Sequence, residues 1–129
     1  MDVLMVEDET LLREALTESL EAAGLQVAGA ASGEAALEVM LAHTGQPPPP
    51  VLVTDVNLGR GRMDGIALAA ELRHRCPALG VVVMSGHAPN LARCVALAPH
   101  ERHLLKPFAA AALVQAVREL VSPAVASSR

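Results

Sequence analysis

Asp55 closes the apolar run VLVTD, and other polar residues close other apolar runs. VLMVEDE ends in Glu7 and Asp8, VVVMSG in Ser85, and HLLKPF in Lys106 and Pro107. If these runs are parallel strands, their carboxyl ends line one sheet edge, where ligands bind in the crevice. Three carboxylates, a hydroxyl and an ammonium then meet in one place. Carboxylates drawn together repel and need a cation to stay jointly ionised. Hard oxygen ligands select Mg²⁺ or Mn²⁺ over zinc. Asp55 can act as a nucleophile toward phosphorus and form an acyl phosphate. Lys106 and the cation supply positive charge, and Ser85 a hydroxyl for a phosphoryl oxygen. Taken alone, Glu7, Asp8 and Glu9 read as a solvated acidic turn, and Asp55 as a turn aspartate. The coincidence of the strand ends argues against both.

Alternating strand and helix patterns must place these residues. Val3 to Val6 is a short apolar run bounded by acids and reads as a buried strand. Thr10 is the expected cap of a helix with Leu11, Leu12, Ala15, Leu16, Ser19 and Leu20 on one face. Gly24 ends it. LQVAGA predicts a weaker edge strand, and Ser32 starts a helix through about Ala42. Ala35, Ala36, Val39 and Met40 should face inward. GQPPPP offers either an SH3-type ligand or a stiff connector; no basic residues flank it, which favours the connector. Val51 to Thr54 predicts the central strand, and the glycine-rich LGRGRMDG a loop. A helix from about Ile66 to Arg75, a strand over Val81 to Met84 and a short helix around Asn90 to Ala98 follow. His103 to Leu105 is the last expected strand and Ala109 to Leu120 the last helix. Strands alternating with helices predict an α/β doubly wound fold with helices on both faces. We expect one domain over 1–121 and a flexible tail over 122–129.

Composition excludes several functions. The 129-residue chain is 52% hydrophobic, enough for one core without a metal or disulfide staple. Phe108 is its one aromatic residue and the formal charge is -4, which argues against a nucleic-acid surface. Cys76 and Cys94 form no CxxC pair, and His43, His74 and His100 have no metal-ligand spacing. No apolar run reaches membrane-spanning length and no basic leader precedes one, so a cytoplasmic protein without a membrane partner is expected.

VLMVEDE, VLVTDVNL, MDGIALA, VVVMSGHA and LLKPF stand in family order, and the chain resembles a response-regulator receiver domain of two-component signalling over essentially its whole length. The resemblance implies a flavodoxin-like five-stranded parallel sheet of order 2-1-3-4-5. It makes Asp55 the phosphoacceptor. Glu7 and Asp8 become the acidic pair holding Mg²⁺ with Asp55, and Asn57 lends its backbone carbonyl. Ser85 becomes the switch hydroxyl, with Lys106 beside it, and the Lys106–Pro107 bond is expected to be cis. The implied partners are a sensor histidine kinase or histidine phosphotransfer protein and a downstream protein target. Such a receiver assists its own phosphorylation and hydrolysis but is not a turnover enzyme. A single-domain regulator signalling by protein contact is the first expectation, and a receiver module of a larger kinase or regulator the second.

Some positions depart from the family pattern. His103 stands where Tyr or Phe is usual, so it is either a pH-sensitive switch residue or a plain edge-strand histidine. The loop LGRGRMDG looks longer than is usual, Gly59 and Gly61 are expected to make it mobile, and Arg60 and Arg62 there either help a phosphodonor or partner dock or are merely solvated. His87 lies near the mouth of the site with Asn57. Pro89 and Pro99 leave little room for a helix between them. Leu91, Val95 and Leu97 offer a patch for a homodimer. Rival readings fare worse. Haloacid-dehalogenase-like phosphatases want a second Asp two residues after the nucleophile, where Asn57 stands. Nucleotide-binding enzymes want a glycine-rich loop after the first strand, where VEDE stands. A degenerate receiver would not keep the full set of acids, hydroxyl and lysine.

Overall fold

A computed structural model of the chain describes residues 1–42, 49–58, 63–86 and 100–121. Within them run β1 (Val3–Val6), α1 (Thr10–Ala22), β2 (Val27–Ala30), α2 (Gly33–Ala42), β3 (Val51–Asp55), α3 (Gly65–Arg75), β4 (Gly80–Ser85), β5 (Glu101–Leu105) and α4 (Ala110–Val121). The strands pair in parallel in the order β2-β1-β3-β4-β5, the doubly wound order that the resemblance implies.

The apolar runs are continuous because the central strands are covered on both faces. Leu4, Val6, Leu52, Val81 and Val83 pack with Ala36 of α2 and Leu68 and Leu72 of α3. Val3, Met5, Val51, Val53, Val82 and Met84 pack with Leu16 and Leu20 of α1 and Leu113 and Val117 of α4. Neighbouring residues on a strand thus feed opposite halves of one core. β2 and β5 lie at the two edges, and both are less buried than the strands between them.

The helix ends follow local chemistry. α1 stops in a paired turn: the Gly24 N–H donates to the Glu21 carbonyl at 2.9 Å and the Leu25 N–H to the Leu20 carbonyl at 3.2 Å. Gly24 adopts φ of +89°, a conformation that side chains disfavour, as its position past the helix predicts. Ser32 caps α2 through an Ala35 N–H to Ser32 Oγ bond of 3.0 Å, and Asp64 caps α3 through Ala67 N–H at 2.8 Å.

Three expectations need correction. Thr10 is the first helical residue and not the cap; Glu9 is the last extended residue before α1 and its side chain makes no capping bond. The helix therefore starts one residue earlier than a Thr10 cap would place it. Leu11 is 76% exposed and Ala15 is exposed too, so the core-facing stripe of α1 is the half-buried Leu12 with the buried Leu16 and Leu20, at four-residue spacing, with Leu11 off its flank. β5 begins at Glu101, not His103, since Glu101 already pairs with Val81. His43, most of GQPPPP, Gly59 to Arg62, the segment from His87 to Pro99 with its expected helix and Cys94, and the 122–129 tail lie outside the described residues. Among the described residues, no helix is long and apolar enough to cross a membrane.

Candidate phosphoacceptor and cation site

The strand ends converge as their order requires. A cleft of about 370 Å³ at the carboxyl edge is lined by Glu7, Asp8, Glu9, Asp55, Asn57, Ser85, Gly86 and Lys106. β1 and β3 are neighbours in register, Val6 beside Thr54, so Glu7 and Asp8 leave β1 next to Asp55 at the end of β3. β4 brings Ser85 from the other side. Lys106 follows β5, where its backbone N–H donates to the Ser85 carbonyl at 2.7 Å, and the Lys106–Pro107 bond is cis, as expected.

Asp55 is held from several directions. Lys106 Nζ donates to Oδ2 at 2.5 Å, and the Asn57 N–H to Oδ1 at 3.1 Å. Its own carbonyl accepts from Thr54 Oγ1 at 2.9 Å. Behind it, α3 begins so close that a Cβ on Gly65 would stand 1.9 Å from the Asp55 carbonyl oxygen. Only glycine admits this approach, and the Gly65 N–H donates to the Val56 carbonyl at 2.8 Å. The backbone under Asp55 is therefore fixed by packing as well as by the sheet.

Lys106 bridges two acids, since Nζ also meets Glu7 Oε1 at 3.0 Å. Burial works against its charge, but the hydrogen bonds to Asp55 and Glu7 outweigh that and raise the ammonium above the usual lysine value of 10.5. Glu7 is almost wholly buried. Burial pushes its carboxyl up to about 7, against the lowering pull of Lys106, while a hydrogen bond to Asp8 raises it further. Ligand oxygens of Glu7, Asp8 and Asp55 lie within 4.8 Å of one another. Three hard donors facing a single ammonium fit a divalent cation such as Mg²⁺ by their chemistry.

The sequence-derived residues Glu7, Asp8, Asp55, Asn57, Ser85 and Lys106 all stand in this cleft. His103 does not line it. Its Nε2 lies 2.6 Å from Glu101 Oε2, and Arg73 of α3 holds the other oxygen of that carboxylate. His74 and His100 are exposed, as expected of surface histidines, and Cys76 is a free thiol far from the cleft. Glu9, Thr54 and Gly65 were given no role from sequence, although MDG belongs to a motif that carries the resemblance. Arg13 was missed too: its Nη1 donates to the Glu7 carbonyl at 2.7 Å. No local pattern marks it, since the contact depends on where β2 stops relative to β1.

The response regulator receiver domain family matches residues 3–118. The chain belongs to this family. Its receiver fold is also that of solved relatives. A response regulator receiver protein from Sinorhizobium medicae WSM419 has a TM-score of 0.80 at 31% identity, with 92% of each chain covered. The receiver domain of NtrX from Brucella abortus gives 0.81 at 25% identity, with 93% of this chain and 98% of that one covered. By sequence, the receiver is 35% identical over 120 residues to the sensor kinase CckA of Brucella abortus (strain 2308), covering 92% of this chain and 12% of that protein. It is 34% identical over 116 residues to the response regulator protein FleR of Pseudomonas aeruginosa, covering 89% and 23%. The chain thus spans under a quarter of the length of these curated relatives. Receivers are signalling domains of two-component systems, in which phosphorylation and Mg²⁺ binding are general features.

Proposed function

We propose that Asp55 is the phosphoacceptor of a signalling switch. The donor is a phosphohistidine on a sensor histidine kinase or histidine phosphotransfer protein. A carboxylate oxygen of Asp55 attacks phosphorus, a P–O bond forms, the donor P–N bond breaks, and the imidazole leaves with a proton from solvent. Water later cleaves the acyl phosphate, returning the carboxylate and inorganic phosphate. Lys106 offsets charge at the phosphoryl oxygens, the Asn57 N–H orients the Asp55 carboxylate, and the Ser85 hydroxyl serves a phosphoryl oxygen. Asp8, Asp55, Glu7 and the Asn57 carbonyl would hold Mg²⁺. When bound, the ion adds positive charge where phosphoryl oxygens gather. Ser85 and His103 pass the change to β5, and a downstream protein reads it by contact in the cytoplasm, with a homodimer through the last helices as one form of that contact. The receiver occupies 1–121.

One observation carries this reading: a single ammonium bridges Asp55 and Glu7 inside a cluster of three carboxylates. The test is incubation with acetyl phosphate and Mg²⁺, followed by a phosphate-affinity gel. Wild type should give a retarded band that EDTA and Asp55→Asn both remove. An equal band in the mutant sinks the assignment. A second reading is a receiver module within a longer kinase or regulator. The lengths of CckA and FleR favour it, since their receivers are a minor share of each chain.

A further inference from the structure

β1 and β2 exchange rungs up to the edge of the cleft. The Val3 N–H donates to the Gln26 carbonyl at 3.0 Å, and the Glu7 N–H to the Ala30 carbonyl at 3.1 Å. In a parallel ladder, the next rung would bring the N–H of Ser32 to the Glu7 carbonyl. The chain has turned by then, because Ser32 is occupied in capping α2. The Glu7 carbonyl takes its hydrogen bond from Arg13 Nη1 at 2.7 Å instead. A guanidinium bond is charge-assisted, so it is stronger than the rung it replaces. The Arg13 stem reaches back across β2 at Gly29, where even a Cβ would stand 3.5 Å from Arg13 Cδ. Anything larger would meet that stem.

The peptide gripped in this way joins Glu7 to Asp8. Its amide plane sets the direction in which the Asp8 side chain leaves the strand. Asp8 is exposed and has no core packing of its own to orient it. Groups that hold a ligand residue in place matter nearly as much as the ligand.

We infer that Arg13 is a positioning residue for the cation site, gripping the Glu7–Asp8 peptide by its carbonyl so that Asp8 faces Asp55. The inference rests on the reading of Glu7, Asp8 and Asp55 as that site. Its test is a calorimetric Mg²⁺ titration of wild type, Arg13→Met, Gly29→Leu and Asp8→Asn, with thermal melts in EDTA and acetyl phosphate labelling at saturating Mg²⁺. Arg13→Met should weaken Mg²⁺ binding about tenfold or more. At saturating Mg²⁺ its labelling rate should return to within about twofold of wild type, because affinity and not the nucleophile is affected. Gly29→Leu keeps the guanidinium but displaces its stem, so it should weaken binding in the same direction. If Arg13→Met does not fold, Gly29→Leu decides alone. Wild-type affinity in the deciding variant, whatever its melting temperature, overturns the role of Arg13 and leaves it a purely structural contact. If wild type and Asp8→Asn bind Mg²⁺ alike, the cation site itself is misassigned, and both readings fall.

Discussion

β3 ends in a residue of the cleft, Asp55, and β5 leads directly into another, Lys106, yet the two strands are built in opposite ways. Every residue of β3 is buried, and it lies at the centre of the sheet between β1 and β4. β5 is an edge strand of half-buried and exposed residues, Leu105 among the exposed. Asp55 is fixed by Asn57, Thr54, Lys106 and the start of α3. β5 is paired on one side with β4 and tied to α3 by the Arg73–Glu101 ion pair, with the His103 ring at the other oxygen of Glu101. A reacting group needs a fixed backbone, whereas a segment that reports the reaction needs a cheaper alternative position. The centre of the sheet suits the first and its edge the second.

Gly65→Ala should have the largest effect on that contrast. The added methyl would overlap the Asp55 carbonyl, so we expect a loss of ~3 kcal/mol or more, with α3 pushed away from β3. Urea denaturation measures it. A loss no larger than that of an exposed helix substitution would mean that the centre is not as closely fixed as described.

Glu7 joins the two regions, since Lys106 carries it toward β5. In the folded protein its carboxyl is raised from 4.5 to about 7, so the native state binds a proton that the unfolded chain releases. The resulting stabilisation is complete below about pH 4.5 and is lost as pH rises through about 7, a swing of up to ~3 kcal/mol in metal-free protein. Glu7→Gln mimics the protonated acid and should flatten this decline. Denaturation in EDTA at pH 5 and pH 8 compares the two proteins, and parallel slopes would remove the proton from Glu7. Mg²⁺ competes with that proton, so its affinity for wild type should rise over the same interval.

The edge should respond less. Glu101 is 3% exposed at its side chain, and Glu101→Ala leaves Arg73 without its partner. We expect a cost of ~1–2 kcal/mol, read as a fall in melting temperature, together with a shifted His103 ring signal by NMR. The exposed Arg75–Glu71 pair on α3 is the control, and Arg75→Gln should leave the melting temperature unchanged. Equal effects from the two substitutions would erase the distinction between a buried clasp and a surface pair.

Much of this was legible in the chain. Parallel strands buried on both faces read as continuous apolar runs, and their polar ends meet at one edge, so Asp55, Asp8 and Lys106 announce themselves. Other features depend on where neighbouring strands stop relative to one another. Arg13 can grip the Glu7 carbonyl only because β2 ends at Ala30, and no local pattern fixes that register. Thr10 looked like a cap because it has a capping side chain. The chain has Glu9 at that point, and the helix starts there without a side-chain capping bond. Leu11 looked inward because it is apolar, but a stripe of Leu12, Leu16 and Leu20 already fills the space under α1. His103 stands out in sequence for its type, while its bond to Glu101, the residue through which Arg73 ties α3 to β5, appears only in three dimensions.

The central claim concerns one carboxylate, and borohydride trapping tests it most directly. The protein is labelled with acetyl phosphate and Mg²⁺, reduced with borohydride, digested and sequenced by mass spectrometry. Reduction of an aspartyl phosphate yields homoserine at the modified position. The account predicts homoserine at Asp55, dependent on Mg²⁺ and absent from the Lys106→Met protein at matched labelling time. Homoserine at Asp8 or elsewhere, or none at any position while the labelled band persists, would contradict it.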